Sequence, residues 1–140
     1  MSDSAHAGSF KQIGSDEDIL RRLPKKPDTI KDRGAEGRTA TSFALKPRPN
    51  EAYPSWSRQA YTSPERLLAI ERDNGREING WSVAAVRVAE VRELGLDVAA
   101  DPNEVDPGHC LIVPTSQQRF SDTIWSKLAK KTRIVYTAPE

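Results

Sequence analysis

The chain has 140 residues, with 21 Lys plus Arg against 20 Asp plus Glu and a formal net charge of +1, so no overall field draws it to a nucleic-acid backbone or an anionic bilayer. A single cysteine excludes an internal disulfide framework and every multi-cysteine metal site, and it fits a reducing compartment. Hydrophobic content of 36%, a mean hydropathy of −0.65 and ten prolines point to one modest core carrying long irregular segments.

Residues 1–17 are rich in Ser, Gly, Asp and Glu and poor in branched apolar groups; they are expected to form a disordered tail, with no secretory leader among them. The first apolar density lies at Asp18–Leu23 and ends at Pro24, the pattern of a short strand. The charged stretch from Lys25 to Arg38, with Pro27, Gly34 and Gly37, predicts an exposed loop. Alternation over Thr39–Leu45 predicts a second strand with a face of small residues. Pro47, Pro49 and Pro54 make Lys46–Pro54 an extended loop that cannot join a ladder centrally, and Trp56 and Tyr61 are expected to anchor the next loop onto the core.

A helix start is well signalled at Ser63-Pro64-Glu65, where Ser63 caps, Pro64 fits the first helical position and Glu65 complements the dipole, with Asn74-Gly75 as the stop. Ile78–Val88 predicts a strand, followed by a short helix over Ala89–Leu94 that ends at Gly95. Leu96–Ala100 and His109–Pro114 predict two further strands around an acidic turn. Ser121 caps a last helix, with Phe120 and Trp125 at the spacing of a hydrophobic staple. Arg133–Ala138 predicts the closing strand. Together these imply an α+β fold: a small single domain over 18–140, with about five or six short strands, two or three helices and a Pro-rich loop at 46–54.

Chemistry is sparse. His109 and Cys110 are adjacent, but neighbours on a strand point to opposite faces and cannot form a Cys/His pair; no metal site is expected, because nitrogen and sulfur ligands are too few. Asp97, Asp101, Glu104 and Asp106 match turn chemistry near proline better than a cation loop. Lys25, Lys26, Lys31, Arg33 and Arg38 form a basic stretch broken by Asp28, Asp32 and Glu36 and without an aromatic stacking surface, so nucleic acid is not an expected partner. The candidate catalytic residues are Arg22, Ser42 and His109; the candidate interaction residues are Trp56 and Tyr61.

Leu20-Arg21-Arg22-Leu23, Thr39-Ala40-Thr41-Ser42-Phe43, Gly95-Leu96-Asp97-Val98 with Asp101-Pro102, and Pro107-Gly108-His109 with Leu111-Ile112-Val113 resemble a family of small uncharacterised bacterial proteins over residues 18–138. The resemblance implies a compact α+β bacterial protein and no mechanism. The chain departs from it in the Pro-rich insert at 46–54 and in Thr39-Ala40-Thr41, where more serine is expected. Arg21 or Arg22, Thr41-Ser42 and Glu51 also resemble, residue by residue, the arginine, serine and glutamate of ADP-ribosyltransferases, although the Glu-x-Glu element is absent. The expected function is a non-enzymatic cytoplasmic accessory or protein-interaction module, contacting a protein partner through Lys46–Tyr61, without cofactor, metal or membrane span. The alternative is a small enzyme or nucleotide-binding domain that gathers Arg22, Ser42 and His109 around one pocket.

Overall fold

The computed structural model describes residues 13–140. Among the described residues, eight strands and four helices form one α+β domain: β1 (Asp18–Leu23), β2 (Ile30–Asp32), β3 (Arg38–Ala40), α1 (Ser42–Leu45), β4 (Ser55–Arg58), α2 (Pro64–Asp73), β5 (Ser82–Arg87), α3 (Val88–Glu93), β6 (Asp97–Ala100), β7 (His109–Val113), α4 (Asp122–Lys131) and β8 (Arg133–Thr137). Six strands make an antiparallel sheet in the order β6-β7-β4-β1-β5-β8, while β2 and β3 pair as a separate hairpin. No helix among the described residues is long and apolar enough to cross a membrane.

Strand alternation divides β1 between two layers. Ile19 and Leu23 enter the larger core with Trp56, Val86, Cys110 and Ile112, whereas Leu20 joins a smaller core with Leu67, Leu68, Val83 and Ala85. The larger core is closed by α4, whose Ile124, Trp125, Leu128 and Ala129 are all buried; burying side chains of the Leu and Ile class contributes about 1.5–3 kcal/mol each. The smaller core lies under α2. Ser63 accepts from the Arg66 N–H and Ser121 from the Ile124 N–H, so both caps work as expected. Phe120 stacks on Trp125 at 4.4 Å between ring centroids, which completes the staple. Gly75, at φ 88, takes the left-handed position that stops α2.

Several expectations are corrected by this fold. Thr39–Leu45 is not a strand: β3 ends at Ala40, and Thr41 caps α1 by accepting from the Ala44 N–H while donating to the Asp28 carbonyl. The charged loop at 25–38 contains the β2–β3 hairpin, clamped where the Thr132 hydroxyl accepts from the Ala40 N–H. β4 was hidden behind the prolines. The tail expected over 1–17 falls outside the described residues up to residue 12, but residues 13–17 are packed: Ile13 is buried, and the Ser15 and Glu17 carbonyls accept from Ala89 and Val88 at the start of α3.

Candidate functional site

The strand alternation that buries Ile19 and Leu23 also buries Arg21, whose side chain is 1% exposed. A guanidinium cannot be left unpaired there, and three backbone carbonyls meet it: Ala44 at 3.0 Å from Nε, Ser55 at 2.8 Å from Nη1 and Lys46 at 3.0 Å from Nη2. Glu51 adds a carboxylate at 3.7 Å. Burial, reinforced by the neighbouring positive charge of Arg48, pushes the Arg21 pKa down to about 10, so it remains charged at neutral pH. Arg21 thereby fastens both ends of the proline segment 46–54, which becomes a fixed strap.

Arg48 holds the same strap from outside, donating to the Arg22 carbonyl at 3.0 Å and facing Glu51 at 3.9 Å. Burial alone raises the Glu51 carboxyl. The Arg48 N–H, the Ser55 hydroxyl and the guanidiniums of Arg21 and Arg48 more than offset this, and the carboxyl titrates below its ordinary range. A folded-state value below the unfolded one means that the unfolded chain binds the proton more readily, so this stability is present above about pH 4.5 and is lost as pH falls through the folded value. Thermal melts at pH 6 and pH 3 should therefore show a smaller acid-induced loss for Glu51→Gln than for the parent.

The strap separates two hollows. On the α2 side, Arg22, Arg48, Arg76, Glu51, Glu71 and Trp81 line a polar cleft of about 340 Å³. On the α1 side, Phe43, Pro24, Pro47 and Pro49 wall a larger hollow of about 550 Å³, with Lys26 and Lys46 beside them. Phe43 is 63% exposed. Because α1 has only one turn, capped by Thr41, burying Leu45 against the core turns Phe43 outward.

Arg22, Ser42 and His109 do not meet. Arg22 bonds Glu71 of α2 at 2.9 Å, and Ser42 opens α1 in the opposite layer. His109 pairs with Ser57, which pairs with Leu20; strand spacing puts it about 12 Å from Arg22 between Cα atoms. The His109 ring instead closes the acidic turn, with Nδ1 at 3.0 Å from the Asp101 carbonyl and 3.1 Å from its carboxylate. Asp106 accepts from the Ser57 hydroxyl and from the Gly108 N–H, and among the described residues no acidic, His or Cys group is placed to hold a metal. Cys110 faces the core, where burial pushes its thiol up to about 12.

The interaction candidates are also reassigned. Trp56 is 1% exposed in the larger core and offers nothing to a partner. Tyr61 lies under the Arg58 guanidinium, 4.9 Å from its ring centroid, and packs against the backbone at Gly108, where an added Cβ would come within 2.9 Å of the tyrosine. Phe43 was missed, Arg21 was named only as an alternative to Arg22, and the strap prolines lay within the segment expected to make the contact. An arginine between Ile19 and Leu23 on one strand face was the available signal for Arg21. Comparison with known protein families, curated proteins and solved structures finds no match.

Proposed function

We propose that the chain is a non-enzymatic, cytoplasmic protein-interaction module of bacterial type, docking an acidic segment with apolar side chains in the hollow beside the strap. The observation that carries this reading is the exposed Phe43 set against Pro24, Pro47 and Pro49. An aromatic and three rigid prolines offer contact area at little ordering cost, which is how interface anchors work. Lys26 at the hollow, with Lys46 beside it at 3.3 Å from Asp122, supplies the positive charge that selects an acidic occupant. Arg21 supports the reading by presetting the strap, so little needs to be ordered on binding.

Phe43→Ser is the test, because the ring is exposed and its loss should change stability by no more than about 0.5 kcal/mol. A partner captured by the parent should bind this variant at least about 30-fold more weakly, as expected for an anchor of about 2 kcal/mol. It should also dissociate as salt is raised. Equal retention of every captured protein by parent and variant would remove the reading.

A further inference from the structure

We propose that the polar cleft on the α2 side is a second binding site, for a small phosphomonoester, sharing Pro24, Arg48 and Asn50 with the rim of the Phe43 hollow. Three guanidiniums, of Arg22, Arg48 and Arg76, line the cleft together with the carboxylates of Glu51 and Glu71. Glu71 receives Arg22 at 2.9 Å on one oxygen and Arg76 at 3.3 Å on the other. Glu51 receives Arg21 at 3.7 Å and Arg48 at 3.9 Å, again on different oxygens. Each carboxylate is thus shared by two arginines; Arg21 is sealed under the strap on three backbone carbonyls, so the three arginines that line the cleft leave one positive charge over its two carboxylates. Both Glu side chains are 14% exposed and that of Arg22 is 22% exposed, whereas those of Arg48 and Arg76, at 38% and 66%, are open to a ligand entering from solvent.

This surplus selects the chemistry of the ligand. A phosphomonoester carries roughly −1.5 to −2 charge at pH 7 on three strong acceptor oxygens, which a cleft of three arginines over two carboxylates attracts. Guanidiniums bind such a group by paired N–H donors, a geometry a lone lysine does not offer. The cleft, at about 340 Å³, falls at the small end of the range for ligand sites, roughly 300–1,000 Å³. It has room for a phosphate and one modest organic part, not for a chain. Trp81 in the wall, half-buried against the smaller core, provides a flat apolar surface for that part. Asn50 and Ser55 add neutral polar groups. The site uses Arg22 but neither Ser42 nor His109, and it lies across the strap from the Phe43 hollow.

Titration calorimetry with the full chain separates the possible sources of the anion: a nucleoside 5′-monophosphate, the matching nucleoside, inorganic phosphate and succinate. The monophosphate should bind at least tenfold more tightly than inorganic phosphate, which in turn should exceed succinate, while the nucleoside alone gives no heat. Arg76→Gln should weaken the monophosphate at least tenfold with an unchanged melt, since Arg76 is 66% exposed. Arg119→Gln, on the exposed surface outside the cleft, should leave binding unchanged. Absence of heat with both phosphates at millimolar concentration overturns the proposal. So does succinate matching phosphate, or an Arg76→Gln variant that binds like the parent. Because Phe43→Ser leaves this cleft intact, its phosphate binding should stay at the parental level whatever becomes of the protein partner.

Discussion

Replacing Arg21 with methionine should lower the free energy of unfolding by about 3–5 kcal/mol, the range for removing one side of a buried charged network. Three carbonyls, of Ala44, Lys46 and Ser55, lose their donor together, and Glu51 loses one of its two cationic neighbours. Each buried acceptor left unmade costs about 1–3 kcal/mol, less where water reaches it once the strap loosens. Lysine should recover little, because an ammonium at the end of a flexible stem cannot reproduce the fork that spans three carbonyls. Urea denaturation reads the effect as a lower midpoint. An Arg21→Met midpoint close to that of the parent would mean that Arg48 and the prolines hold the strap unaided.

Trp56→Ala should cost about 3–5 kcal/mol as well, by a different route: removal of a large ring from a core that cannot collapse fully into the space. Cys110 on β7 lies opposite it in the sheet, and Ile19 and Leu23 of β1 share its core. Trp56→Phe isolates the packing effect. The indole N–H is buried without a partner among the described residues, so phenylalanine gives up no hydrogen bond and should retain most of the stability, within about 1.5 kcal/mol. If Trp56→Ala melted like Trp56→Phe, the ring would contribute little to the core.

The helices with chemical punctuation were legible from residue types. Ser63-Pro64 and Ser121 cap as written, and the Phe120–Trp125 spacing becomes a stacked pair. Strands β5 to β8 followed from apolar density. The region from 25 to 61 did not, because its order comes from tertiary contacts: the hairpin is clamped by Thr132, α1 by Asp28 and the strap by Arg21. Thr41-Ser42-Phe43-Ala44-Leu45 alternates well enough for a strand, and the competing cap at Thr41 decides otherwise. The candidate site suffered from the same gap. Arg21 and Arg22 are equivalent in composition, and only the register of β1 sends the first under the strap and the second toward Glu71.

The placement of β1 near the middle of the sheet has a kinetic consequence. Its partners are β4 at Ser55–Arg58 and β5 at Ser82–Arg87, so neither long edge of this strand is satisfied by a nearby turn. Assembly must close two long loops before those ladders repay the lost chain entropy, the circumstance that slows folding of sheets built from distant pairings. Until β5 is synthesised, Ile19 to Leu23 can pair on at most one side, and a newly made chain depends on speed of closure or on a chaperone to keep that apolar edge from foreign strands.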